Sequence, residues 1–261
     1  MQLDIILPTF NSEISISRTL DSLVKAGKRC NFITLNILVA DGGSTDETIN
    51  ILYSYSSQLS IKIVSKSDSS SEEGQSKAFL HSTGEYITVI GSDDYISDDY
   101  FLELEEFGLN EQELLLPQKF TILKQDDLGI LKTKKVKSPK WFFLHRYSIP
   151  LPGIGWITKT NSLREFVRKR ENIFMTNNYK IATDSELFVD LINAGWKYKK
   201  MRNPNASYYF LEGGNSSSNL IPLSYEQCEI HCKNSKFFSL DIFLVYLFRR
   251  NLLRFKRIFD L

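Results

Sequence analysis

The chain has 261 residues, 42% of them hydrophobic and 24% charged, which is enough for an α/β domain with a sizeable core. Lys plus Arg number 32 against 31 Asp plus Glu, a net charge of +1, so the basic excess of a general nucleic-acid binder is excluded. Cys30, Cys228 and Cys232 are too few for a disulfide framework, and no run of about 18 apolar residues is present to span a bilayer.

Leu3 to Leu7 is a short apolar run that reads as a strand. Asn11 or Ser12 is positioned to cap a helix with Ile14, Leu20, Leu23 and Val24 on its apolar side. Leu35 to Ala40 reads as a second strand. Ser44-Thr45-Asp46-Glu47 has the form of a capping box, opening a helix through Ile49, Leu52 and Tyr55. Ile61 to Val64 is a third strand, Glu72 to Ser82 a helix closed by Gly84, and Tyr86 to Ile90 a fourth strand. Strands alternating with helices predict a mostly parallel sheet covered on both faces.

Farther along, Leu114 to Leu116 and Phe120 to Leu123 read as strands, and Lys132 to Arg146 is basic and aromatic. Leu151 to Trp156 is a Pro/Gly-rich turn. Thr183 and Glu186 form a capping box on a helix running to Ala194, with Gly195 as its C-cap. The segment Phe237 to Leu261 is helical, apolar and Arg-rich. No Gly-rich fingerprint follows the first strand and no P-loop occurs, which excludes dinucleotide-binding and P-loop NTPase readings.

Such sheets bind ligands beyond the carboxyl ends of their strands, and two of those ends carry acids. Asp41 precedes Gly42-Gly43, where the backbone can approach a ligand closely; read alone, the same residues also suit a tight strand-to-helix turn. Asp93 and Asp94 follow Gly91-Ser92. Adjacent carboxylates there suit a divalent cation bridging a diphosphate, or a solvated turn that caps a helix starting near Ser97.

Taken together, Pro8-Thr9-Phe10-Asn11, Ala40 to Asp46, Thr83-Gly84-Glu85-Tyr86-Ile87 and Ser92-Asp93-Asp94 closely resemble family-2 glycosyltransferases of the GT-A type. The order and spacing match over roughly the first hundred residues. The resemblance implies transfer of a sugar from a nucleotide donor, commonly a UDP-sugar, with inversion. It places Pro8, Thr9, Asn11, Gly42 and Ser92 near the donor, Asp41 at the uracil and ribose, and Asp68, Gln75 and Lys77 facing the donor. Asp93 and Asp94 become the Mn²⁺- or Mg²⁺-holding pair, with Asp93 also near the ribose. Tyr179 to Phe188 is similar to the segment that supplies the general base, which implies Asp184; an acid in the first turn of a helix also favours the helix dipole. Phe210 to Ser217 resembles a Gly-Gly-x-Ser loop that closes over the donor. Gly91, Glu73, Ser76 and Gly155 depart from the common family residues and bear on donor identity.

The resulting expectation is a GT-A-like domain over 1–225, with a nucleotide-sugar half at 1–108, an acceptor half at 109–225 and a helical basic extension at 226–261. The acceptor is expected to be a glycan or lipid-linked oligosaccharide of a bacterial surface polysaccharide. The setting is cytoplasmic, with peripheral membrane contact through the basic amphipathic tail. Nucleic acid is not an expected partner, and the oligomeric state is open. A non-catalytic relative that binds nucleotide-sugar or a partner is one alternative; a sugar nucleotidyltransferase is another, against which stands the lack of a Gly-rich N-terminal loop. Cys228, His231 and Cys232 share a helical face and read as packed residues rather than a zinc site.

Overall fold

The apolar runs at the start of the chain become the centre of a seven-stranded sheet in the computed structural model. Described here are residues 1–66, 68, 70–125, 131–136, 154–168, 174, 179, 183–211, 220–233, 244, 246, 247 and 251. β1 (Gln2–Thr9) pairs in parallel with β2 (Thr34–Asp41) on one side and β4 (Tyr86–Val89) on the other, and β2 pairs in parallel with β3 (Ser60–Lys66). Leu3, Ile5, Ile6, Leu7, Ile37 and Val39 are fully buried. Continuous burial along a strand requires cover on both faces, which explains why these runs do not alternate with polar residues.

The helices between these strands are α1 (Ile16–Arg29), α2 (Thr48–Ser54) and α3 (Ser71–Leu80), and α3 lies against β1, β2 and β3. Ser70 caps α3, its side chain accepting from the Glu73 N–H at 3.2 Å. The capping box expected at Ser44 does not form. α2 starts later, at Thr48, and it is Asp46 that accepts from the Thr48 N–H at 3.0 Å. The helix expected near Ser97 is also displaced: Tyr95–Ile96 forms the short strand β5, and α4 covers Leu102–Phe107.

The sheet continues past β4 through β9 (Ile157–Lys159), β6 (Glu113–Leu116) and β10 (Lys197–Lys200), in the order β10-β6-β9-β4-β1-β2-β3. β9 is antiparallel to both neighbours, so the sheet is mostly rather than wholly parallel. α5 (Thr160–Val167) follows β9. A four-stranded sheet, β5-β11-β7-β8, adds β7 (Lys119–Gln125), β8 (Leu131–Val136) and β11 (Ser207–Leu211).

The chain divides into two compact units. The first is 1–136, 154–175 and 196–211 and holds both sheets, so strands on either side of residue 108 share one core. The second is 137–153, 176–195 and 212–261. There α6 (Thr183–Asn193) packs on α7 (Leu220–Lys233), with Val189 against the buried Tyr179 and Ile230. Gly195 takes φ +90° and its N–H bonds to the Ile192 carbonyl at 3.0 Å, the expected C-cap. α7 begins at Leu220, so the expected boundary at 226 falls inside a helix.

Within α7, burial first and Cys232 next push the Cys228 thiol up to about 12. Among the described residues no group of three or more His, Cys, Asp or Glu side chains could hold a metal, and no helix is long and apolar enough to cross a membrane. The His231 side chain, residues 137–153, residues 212–219 and most of 234–261 lie outside the described residues. With them lie Trp141-Phe142-Phe143, the Gly213-Gly214 loop and most of the amphipathic tail.

Candidate donor site

Three strand ends meet because their register brings them level. Thr9 pairs with Asp41 across β1 and β2, the Gly42 N–H bonds to the Thr9 carbonyl at 2.8 Å, and Ile90 donates to the Ile6 carbonyl at 3.0 Å. The loops after β1, β2 and β4 are then tied together. Asn11, at φ +47°, donates its N–H to Ser44 Oγ at 2.9 Å and accepts the Thr45 N–H at 2.9 Å. The Ser12 hydroxyl meets the Ser92 hydroxyl at 2.9 Å. From α1, Thr19 Oγ1 lies 2.9 Å from the Ser92 carbonyl and 2.6 Å from that of Asp94, while Arg18 Nη2 donates to the Asp93 carbonyl at 2.8 Å.

These loops enclose a cavity of about 840 Å³ at the carboxyl ends of β1, β2 and β4. Pro8, Thr9 and Asn11 line it from the first loop, and Gly42 from the second. Asp68 and Gln75 line it beside α3, and Ser92, Asp93 and Asp94 from the loop after β4. Phe10, Ser12 and Ile154 also form its wall, although the sequence did not mark them as donor-site residues. Phe10 is 64% exposed, and its place between Thr9 and Asn11 at the end of the first apolar run was the signal in the sequence.

Asp41 and Lys77 stand behind this wall. Asp41 is buried, and its carboxylate accepts four hydrogen bonds: Thr9 Oγ1 at 2.9 Å, Ser44 Oγ at 2.6 Å, and the Gly43 and Ser44 N–H groups at 3.0 and 2.8 Å. A carboxylate has about four lone-pair positions, and these four bonds tie Asp41 to the loop. Lys77 reaches Asp68 at 2.6 Å and Glu73 at 2.9 Å. The Asp68 hydrogen bond, then that of Glu73, holds the Lys77 ammonium above the usual lysine range. Its charge therefore orients Asp68 in the cavity wall.

The loop after β4 is supported from the second sheet. The Tyr208 hydroxyl donates to Asp94 Oδ2 at 2.8 Å and accepts the Gly91 N–H at 3.2 Å. Burial first, then the charge of Asp94, pushes Tyr208 well above the ordinary tyrosine value, so its proton stays on. Gly155, at φ +79°, leaves room for the Tyr208 ring, and its carbonyl accepts from the Tyr100 hydroxyl.

Gly91 permits the close approach of both acids. A Cβ there would lie 2.7 Å from Asp94 Oδ2 and 3.1 Å from Asp93 Oδ1. Two carboxylate oxygens thus converge beside one bare backbone position. This donor set fits a Mg²⁺- or Mn²⁺-like ion, which takes one or two carboxylates and fills its remaining positions with phosphate oxygens and water. Asp184 is the second residue of α6, in the second unit, and its side chain lies outside the described residues.

A mostly parallel sheet with ligand-facing loops at its carboxyl end, joined to a smaller sheet, defines an α/β fold of the GT-A class. The solved structure of Staphylococcus aureus TarS 1–349 in complex with UDP-GlcNAc shares it, with a TM-score of 0.65 at 20% identity over 94% of this chain and 70% of that one. A second crystal structure of S. aureus TarS gives a TM-score of 0.62, with 94% of this chain and 42% of that one covered. Residues 4–122 match the model of glycosyl transferase family 2. Two curated relatives are similar over part of the chain. The poly(ribitol-phosphate) β-N-acetylglucosaminyltransferase TarS of S. aureus is 31% identical over 110 residues, 41% of this chain and 19% of the relative. The poly(ribitol-phosphate) β-glucosyltransferase of Bacillus spizizenii is 31% identical over 115 residues, 43% and 18% respectively. The match thus spans about a fifth of these relatives' length.

Proposed function

We propose that the chain transfers a sugar from a UDP-sugar to a hydroxyl of a cell-surface glycan or polyol-phosphate polymer, with inversion. The observation that carries this reading is the cavity at the ends of β1, β2 and β4, where the oxygens of Asp93 and Asp94 converge beside Gly91. The relatives' names support the acceptor class, and the UDP-GlcNAc held by one of them supports the donor.

In this reading the acceptor oxygen attacks the anomeric carbon, the bond from that carbon to the diphosphate oxygen breaks, and UDP leaves with the electron pair. The acceptor proton passes to Asp184, at the start of α6. Asp93 and Asp94 would hold a divalent ion, which when bound offsets charge on the departing diphosphate. Thr9, Asn11, Gly42 and Ser92 contact the nucleotide through the interlocked loops. Asp41 fixes those loops, and Asp68, set by Lys77, faces the donor sugar beside Gln75. The amphipathic tail is proposed, from its sequence alone, to touch anionic lipid; a chain ending at Lys236 should then lose co-sedimentation with anionic vesicles.

The test is Asp184→Asn. UDP binding equal to the parent's, with transfer from UDP-GlcNAc or UDP-glucose to poly(ribitol phosphate) lowered about a thousandfold, is the expected result. Undiminished transfer would remove Asp184 from the chemistry. A parent that neither transfers from nor hydrolyses any nucleotide-sugar would overturn the transferase reading.

A further inference from the structure

A second cavity, of about 810 Å³, lies in the first unit between α1 and the β5–β11 pair. Its volume is within the ~300–1,000 Å³ usual for small-ligand sites. It shares Arg18 with the support of the donor loop, but none of its wall residues is a wall residue of the donor cavity.

Its floor is aromatic. Tyr95 and Tyr209 are cross-strand partners on β5 and β11, with ring centroids 4.5 Å apart and planes 12° from parallel. The Arg18 guanidinium lies over Tyr95, 5.1 Å from the ring centroid. Arg18 Nε is buried and has no acceptor, although Nη2 of the same group bonds to the Asp93 carbonyl. Around this floor stand Lys25, Lys119 and Asp98, whose charged ends have no ion pair or side-chain hydrogen bond among the described residues.

This combination selects a ligand class. A strongly anionic ligand would meet Asp21 and Asp98, and a cationic one would meet Arg18, Lys25 and Lys119. Hydroxyl groups, which both donate and accept, match a rim of mixed sign. Tyr95 is covered by Tyr209 on one face and Arg18 on the other, so it is the outer face of the Tyr209 ring that can take an apolar C–H face. Sugars offer both at once.

We infer that this cavity is a carbohydrate-binding subsite that holds a glycan segment remote from the reacting hydroxyl. Naming that segment as part of the acceptor rests on the transferase reading; the carbohydrate site itself does not. Arg18 touches both the Tyr95 ring and the Asp93 carbonyl, so one side chain borders this cavity and supports the donor loop.

Saturation-transfer NMR with chitotetraose, maltotetraose and cellotetraose tests the site on the full chain. UDP binding is measured in the same samples, so that failure of the donor reading is scored separately. At least one of the three should give transfer that excess UDP does not compete away. Lys25→Ala/Asp98→Ala, which alters exposed side chains only, should weaken that binding about ten-fold, and Tyr209→Ala should do the same if its melting curve shows it folded. No transfer from any of the three, transfer that survives both variants, or transfer displaced by UDP would overturn the subsite.

Discussion

The Tyr208 hydroxyl donates to Asp94 at 2.8 Å, linking the smaller sheet to the acidic loop of the donor cavity. Asp94 is 4% exposed, so the bond lies out of water, where a charge that loses a partner is not compensated. Tyr208→Phe keeps the ring and removes the donor. It should lower stability by about 1–3 kcal/mol and weaken metal-dependent UDP binding. Thermal melting and titration of the same sample check both; unchanged values would show that the hydroxyl is incidental.

Gly91→Ala tests the convergence of the two acids. The added methyl would meet Asp94 Oδ2 at 2.7 Å and Asp93 Oδ1 at 3.1 Å, forcing at least one carboxylate aside. UDP affinity in the presence of Mn²⁺ should fall about ten-fold, roughly 1.4 kcal/mol, while affinity in its absence changes little. An equal fall in both conditions would mean that the methyl disturbs the cavity rather than the metal position.

Gly155→Ala is expected to act on the fold. Its φ of +79° is unfavourable for a side chain, and the new Cβ would lie 2.5 Å from Tyr208 Cδ2. A loss of about 2 kcal/mol or more is predicted, read as a lower midpoint in urea. An unchanged midpoint would contradict the packing described here.

How much of this was readable in advance depended on where each contact came from. β1 to β4 were legible because a strand covered on both faces must be a continuous apolar run. β5 was not, because Tyr95 and Ile96 become a strand only by pairing with Tyr209 and Tyr208, more than a hundred positions away. β10, Lys-Tyr-Lys-Lys, hides its nature because an edge strand carries charge to discourage further pairing. In the site, Thr9, Asn11, Asp93 and Asp94 were found through motif spacing. Tyr208 was not, because nothing local marks a tyrosine whose hydroxyl reaches across to another sheet. Asp41 was recognised, but the four hydrogen bonds that turn it inward came from residues whose geometry only the folded loop defines.

A pH dependence follows from Glu113, which is buried at the β6–β10 pairing. Burial would raise its carboxyl. Hydrogen bonds from Lys199 and from the Asn110 backbone and side chain outweigh this and hold it below the usual range. A depressed carboxyl contributes stability that is present above its unfolded value of about 4.3 and is lost as pH falls through its folded value. Between about pH 5 and pH 2 the parent's Tm should therefore fall more steeply than that of Glu113→Gln. Parallel curves would assign the acid sensitivity elsewhere.

The most direct test of the donor site is calorimetric titration of UDP into the parent and into Asp93→Ala/Asp94→Ala, each with and without Mn²⁺. The account predicts binding to the parent that tightens with Mn²⁺, and no Mn²⁺ effect in the double variant. If UDP fails to bind the parent under either condition, the cavity at the ends of β1, β2 and β4 is not a UDP-sugar site.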